Sequence, residues 1–384
     1  MARNDDRNLE VASAAATTFL LLTASTGAGH DSTAEALADA LRATRPHVRV
    51  RVYDALRQDG TAALLRADRW YDLLVAHAPR LWGLFYRLTD REGVVRLGTA
   101  ATARLWQRRL RDVLEGERPD LVVSLHPLCA RLAEHVLRGM VNAPPHHCVV
   151  TDLVSVHRCW AVRGVAAFCV ATAQAAAALV AAGIPPGRVC VSGLPVRRAF
   201  TVPPSAPPRG TEIAVLILGG GRATRTLERA VCALLASRRP LRLVVVCGRN
   251  ERLRRRLATR SRGRATVLGW RDDVAALMRA SDVVVTKAGS ATLAEAFSQA
   301  RPVVTYQALP GQEEGNVALL EREGLGRHVA DMAALPAAIA RVYAEGTTCG
   351  MGECARWWAD AAARVAGHLA ANGPCNPPLL RASP

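Results

Sequence analysis

The chain has 384 residues, 50% of them hydrophobic and 22% charged, which excludes a disordered polypeptide and asks for more than one ordinary core. Its net charge of +17 favours acidic partners: anionic lipid surfaces, phosphorylated substrates or nucleic acid. The cysteines form no CxxC pair and no dense framework, so a disulfide scaffold or a Cys-rich zinc site is not expected, and they read as reduced thiols of a cytoplasmic protein.

Along the chain, residues 1–17 are polar and Ala-rich and read as a flexible start without the basic-then-apolar order of a secretory signal. No apolar run approaches the roughly 20 residues of a membrane-spanning helix, so any membrane contact should be peripheral. From 18 to 200, short apolar runs beginning near Phe19, Val48, Leu121, His147, Phe168 and Val189 read as buried strands. Ala/Leu/Arg helices such as Thr33 to Thr44 lie between them. That alternation predicts a parallel sheet covered by helices on both faces. Residues 201–210, TVPPSAPPRG, break all periodicity and read as a linker. From 211 to 345 the alternation restarts at Ile213, Leu241, Ala265, Asp282 and Pro302, predicting a second doubly wound α/β domain. Residues 346–372 read as a closing helical segment, with one amphipathic helix from Ala355, and 373–384 as a loose tail.

One stretch of the first half differs in character. Trp70, Tyr71, Trp82, Phe85 and Tyr86 interleave with Arg66, Arg69, Arg80 and Arg87, in a chain only 4% aromatic overall. Such a segment suits the headgroup level of an anionic bilayer, and it equally suits a helix pair that buries its rings. No RNA-binding motif accompanies it, so nucleic acid is not expected as a partner.

The polar punctuation of the strands carries the chemistry. STGAGH ends the first strand, and glycines with a helix start favour an anion or developing charge there. His30 at its tip is suited to accept a proton from a hydroxyl near neutral pH; a solvated turn histidine is the plain alternative. Gly219, Gly220 and Gly221 follow a strand and leave N–H groups to cradle a diphosphate, while the backbone at Trp270 and Arg271 can line the edge of a flat heterocycle. Lys287 is the only lysine among 50 Lys and Arg. A slim ammonium fits beside a phosphate where a guanidinium fork does not. Glu295 and PGQEEGN, with Gln312 and Glu313, add carboxylates and an amide that can read ribose and sugar hydroxyls. With no Asp-x-Asp clamp, neither a metal nor another cofactor is expected, and leaving-group charge falls to cations and helix starts.

These motifs, STGAGH, SLHPL from Ser124, VTDLVSVHRCW from Val150, SGLPVRRAF from Ser192 and the segment Thr286–Asn316, resemble the monogalactosyldiacylglycerol synthase and processive diacylglycerol glucosyltransferase family. The resemblance implies a GT-B fold, two Rossmann-like domains facing a cleft, and inverting hexose transfer from a UDP-sugar to a diacylglycerol-type hydroxyl. It implies His30 as base and His126, Asp152 and His157 on the acceptor side. The glycine loop and Lys287 would meet the diphosphate, Glu295 the ribose, and Gln312 with Glu313 the sugar, Asn316 closing the motif. It also implies a lipid acceptor and peripheral attachment to the inner face of the cell membrane. The chain departs from the family pattern at Arg222–Arg225, at Ala166–Ala167 and at Ala288. A polyprenyl-linked or soluble acceptor, an epimerase, and a degenerate nucleotide-sugar-binding protein are the alternative readings.

Overall fold

The structure, a computed structural model, describes residues 17–24, 28–55, 74–75, 78–203, 210–220, 225–345 and 351–371. The first sheet contains β1 (Thr18–Thr23), β2 (Arg49–Asp54), β3 (Leu121–Ser124), β4 (His146–Val149), β5 (Ala167–Val170) and β6 (Val189–Val191). Its order is β2-β1-β3-β4-β5-β6, and every pairing is parallel. β1 reads TFLLLT and is buried at every position, as a central strand covered on both faces must be. β2, at the edge, alternates exposed Arg49 and Arg51 with buried Val50.

The helices of this half are α1 (Ala28–Thr44), α2 (Pro79–Thr89), α3 (Glu92–Glu117), α4 (Pro127–Leu137) and α5 (Ala173–Ala181). α4 shows why helices begin where they do: Pro127 sits in the first turn, and the His126 ring caps it by accepting from Leu128 N at 3.2 Å.

The second sheet comprises β7 (Ile213–Leu218), β8 (Leu241–Val246), β9 (Ala265–Leu268), β10 (Val283–Lys287), β11 (Val303–Gln307) and β12 (Gly326–His328), in the order β12-β11-β10-β7-β8-β9, again all parallel. Its helices are α6 (Arg225–Ala236), α7 (Glu251–Ser261), α8 (Val274–Arg279), α9 (Ser290–Ser298), α10 (Glu314–Arg322) and α11 (Leu335–Glu345). β12 escapes sequence pattern because Gly-Arg-His contains no apolar run; it is an edge strand completed by pairing with β11.

Strand order reverses between β1 and β3 in the first sheet and between β7 and β10 in the second. Open parallel sheets bind ligands at such switch points, beyond the carboxyl ends of the strands. The two halves share a core. Leu153, Leu194, Val196 and Phe200 of the first pack with Leu293, Phe297 and Leu320 of the second.

The closing segment is two helices, α12 (Met351–Ala359) and α13 (Ala361–Ala371), where one was expected. The turn at Asp360 lets them serve different halves. Trp358 of α12 packs on Phe297 of α9 at 5.4 Å between ring centroids, while Val365, Ala366 and Leu369 of α13 join the core under α1. No helix among the described residues is long and apolar enough to cross a membrane.

Candidate active site

At the first switch point, β1 leads into α1 and β3 into α4, so His30 and His126 meet: their ring centroids are 4.6 Å apart, edge to face. His30 Nδ1 lies 3.0 Å from the Leu125 carbonyl oxygen and 3.0 Å from Thr151 Oγ1. A carbonyl only accepts, so Nδ1 carries the proton and Nε2 keeps its lone pair. Burial lowers the His30 pKa from its ordinary value, against the Leu125 carbonyl and Asp31, which raise it. The ring is therefore a neutral base near pH 7. His126 is the complement. Its Nδ1 accepts from Leu128 N, which leaves the proton on Nε2, and burial, followed by the neighbouring His30, holds its pKa well below the usual value.

Asp152 follows Thr151 at the end of β4. Burial pushes its carboxyl up to about 6, although the Trp160 indole donates to Oδ2 at 2.9 Å. His157 caps the short turn Arg158–Trp160, its Nδ1 accepting from Cys159 N at 3.1 Å and its Nε2 lying 3.3 Å from Thr89 Oγ1. Nδ1 thus holds that turn, while Nε2 ties it to the end of α2. Arg131 clamps the same turn by donating to the carbonyls of Arg158, Cys159 and Ala161 at 2.7, 2.9 and 2.9 Å.

At the second switch point, Gly219 and Gly220 follow β7, and Lys287 ends β10 beside them. Gly220 has φ +72°, which suits glycine, and Gly221 lies outside the described residues. Lys287 Nζ is 3.1 Å from Glu313 Oε1, and Glu313 Oε2 accepts from Leu309 N at 3.0 Å. A Cβ at Gly220 or Gly289 would lie 3.7 or 3.4 Å from Lys287 Cε, ordinary contact distances, so both glycines line the path of the ammonium stem. Asn316 donates to the Ala288 carbonyl at 2.8 Å, fixing the turn before α9, and its buried Oδ1 has no partner among the described residues. α9 starts at Gly289 without a side-chain cap, so the positive end of its dipole lies beside Lys287.

The two switch points adjoin. A Cβ at Gly29 would lie 3.6 Å from Ala291 Cβ, which sets the start of α1 against the start of α9. Gly315 sits so near the first half that a Cβ there would fall 2.6 Å from Ser155 Oγ. Glu295 is one step removed: it is buried and paired with Arg197 at 3.1 Å, where burial raises its pKa and Arg197 opposes the rise. Trp270 and Arg271 do not join the cluster. They lie beyond β9, two strands from β7, where Arg249 stacks 4.3 Å over the Trp270 ring and Arg271 pairs with Asp273. Thr151, Arg131 and Arg197 are contributors that sequence reasoning did not single out; Thr151 and Arg197 lie inside the motifs VTDLVSVHRCW and SGLPVRRAF, whereas no motif contained Arg131. Among the described residues no group of three or more His, Cys, Asp and Glu side chains is placed to hold a metal.

Residues 30–196 match the family description monogalactosyldiacylglycerol (MGDG) synthase, and residues 216–345 match glycosyl transferases group 1. A chloroplastic monogalactosyldiacylglycerol synthase 3 of Arabidopsis thaliana is 30% identical over 329 residues, covering 80% of this chain and 70% of the relative. The chain belongs to the monogalactosyldiacylglycerol synthase family. A protein of Oryza sativa subsp. indica described as "Probable monogalactosyldiacylglycerol synthase 2, chloroplastic" is 31% identical over 338 residues, covering 82% of this chain and 71% of that one. Among solved structures, the glycosyltransferase of kitacinnamycin superposes with a TM-score of 0.62 at 14% identity, over 94% of this chain and 100% of the other. That likeness establishes the GT-B fold, and family membership makes the chain a glycosyltransferase.

Proposed function

We propose that the protein transfers a hexose from a UDP-sugar to a diacylglycerol-type hydroxyl with inversion at the sugar carbon. The observation that carries this reading is the pinned tautomer of His30. Its Nδ1 proton is committed to the Leu125 carbonyl, which leaves Nε2 as a base one residue from the contact with α9. A hydroxyl deprotonated there can attack a sugar whose diphosphate lies at Lys287 and the start of α9, on the face opposite the departing UDP. Attack from that face inverts the carbon. Lys287, Gly219, Gly220 and the helix start would take up the charge of the leaving UDP. Turnover is accordingly expected to persist in a chelator.

Attachment to a membrane is supported by α2. Leu81, Leu84, Phe85 and Leu88 recur at helical spacing and are exposed, with exposed Arg80 and Arg87 beside them, so one face offers an apolar strip flanked by cations. Trp82 and Tyr86, which the sequence grouped with that strip, turn the other way; Trp70 and Tyr71 lie outside the described residues. We place the protein peripherally on the inner face of the cell membrane, with α2 at the headgroups.

UDP release from a panel of UDP-sugars, with and without diacylglycerol in anionic vesicles, tests both parts. One sugar giving lipid-dependent UDP is the expected result. Release only with a polyprenyl-linked or soluble acceptor would sink the acceptor assignment, and donor binding without any release would make the protein a sensor.

A further inference from the structure

α2 has a second face, and it meets the turn that carries Gln312. Three contacts define the meeting. Gly83 approaches Pro310 so closely that a Cβ on it would lie 2.5 Å from Pro310 Cβ. Gly311, at φ +79°, leaves room for the Tyr86 ring, whose Cδ1 would be 3.0 Å from any Cβ there. The Trp82 indole Nε1 donates to Gln312 Oε1 at 3.2 Å.

The last contact has a chemical consequence. An indole N–H only donates, whereas an amide has one accepting oxygen and one donating nitrogen. Facing Trp82, Gln312 must therefore turn its oxygen to α2 and its NH2 away. That NH2 makes no hydrogen bond within the described residues, and Gln312 is only half buried. The adjoining Glu313 carboxylate is already committed to Lys287 and to Leu309 N. Gln312 is thus the member of the pair left with donors to offer.

We propose that Trp82 is a positioning residue for the donor sugar: its indole N–H fixes the Gln312 amide so that the NH2 is presented to a sugar hydroxyl. The proposal rests on the reading above that UDP-hexose is the donor and that its sugar lies at Gln312. It divides the donor between the two halves. UDP would be held by second-half groups alone, at Gly219, Gly220, Lys287 and the start of α9. Sugar recognition would depend on a side chain of the first half and hence on α2 remaining docked.

Calorimetric titration of the full-length protein with UDP, UDP-galactose and UDP-glucose tests this. Trp82→Phe keeps the ring and removes the N–H. It is expected to leave UDP affinity within about two-fold and to weaken the preferred UDP-hexose about 5–10-fold, the range of one hydrogen bond. In a Gln312→Ala background the same substitution should cost nothing further. Tyr86→Phe, which removes the 3.0 Å bond to the Ser155 carbonyl from the same helix face, should leave the ratio of sugar to UDP affinity unchanged. Should Trp82→Phe fold poorly, Gln312→Glu keeps an oxygen for Trp82, deletes the NH2, and should lower UDP-hexose affinity selectively. Equal weakening of UDP and UDP-hexose by Trp82→Phe, or losses that add in the double variant, would reduce Trp82 to packing and overturn the proposal. A UDP-hexose loss in Gln312→Ala with none in Trp82→Phe overturns it alone, leaving the donor reading intact. No loss in Gln312→Ala brings down both.

Discussion

The two switch points are built alike and do opposite things with charge. Each joins a buried parallel strand through a glycine-bearing turn to a helix, and each lies where strand order reverses. At the first, burial works against charge: it lowers the pKa of both His30 and His126, which are neutral near pH 7, and pushes the Asp152 carboxyl up to about 6. At the second, an ammonium and a carboxylate sit 3.1 Å apart, beside Gly220 and Gly289. A neutral base can take a proton; a fixed cation can hold a phosphate. The same local architecture yields either office according to whether its polar groups meet a low-dielectric wall or an opposite charge.

The largest expected effect breaks the first half of that contrast. His30→Ala should lower kcat by about 10²–10⁴-fold with donor affinity unchanged. Wild-type kcat/KM should rise with pH through a value below 6.5 and then level, the direction that burial gives His30. Loss of that acid limb in the variant checks the role, and a variant keeping the wild-type profile would remove His30 from the chemistry.

Next comes the cation. Lys287→Ala should cost about 10²–10³-fold in kcat/KM. Lys287→Arg should recover little, because a planar guanidinium fork does not reproduce the compact point charge of an ammonium. Full activity in the arginine variant would mean that any cation suffices.

Asp152 sharpens the comparison through stability. Its folded pKa near 6 stands above the unfolded carboxylate value of about 3.9. The folded state holds the extra proton between those values, so stability falls as pH rises through that window. Asp152→Asn keeps an oxygen for the Trp160 indole and removes the buried charge. It should be more stable than wild type by up to about 3 kcal/mol at pH 7, with the gain gone at about pH 4. Urea titrations at the two pH values measure this.

The smallest effect lies under the first sheet, where His147 of β4 faces His368 of α13 at 6.3 Å between ring centroids. Burial and the His368 charge hold His147 near 4, against about 6.5 unfolded. Here the unfolded chain takes the proton first, so stability falls as pH drops from about 6.5 towards 4. His147→Leu should flatten that acid limb by about 2 kcal/mol at pH 5. An unchanged limb would place the acid sensitivity elsewhere.

Much of this could be read before the fold was known. The apolar runs ending in glycine or polar residues marked eleven of the strands, and the lone lysine marked the end of β10 at the second switch point, because both are local properties of the chain. β12 was illegible because Gly-Arg-His carries no apolar signal and becomes a strand only by pairing with β11. The closing segment read as one helix because its apolar pattern runs through Asp360, and only packing on α9 and on α1 divides it.

The sequence by itself determined the alternation of strands and helices, the glycine turns, and the residue types able to act as base and phosphate ligand. Tertiary structure alone decided which of them act together. Trp82 meets Gln312 across 230 positions, Thr151 meets His30 across 121, and Arg197 takes Glu295 across 98. Protonation states and amide orientations followed from those meetings. The physical reason is range: backbone propensity and hydrophobic periodicity act over a few residues. Desolvation and hydrogen-bond direction depend on whatever the fold brings within a few ångströms.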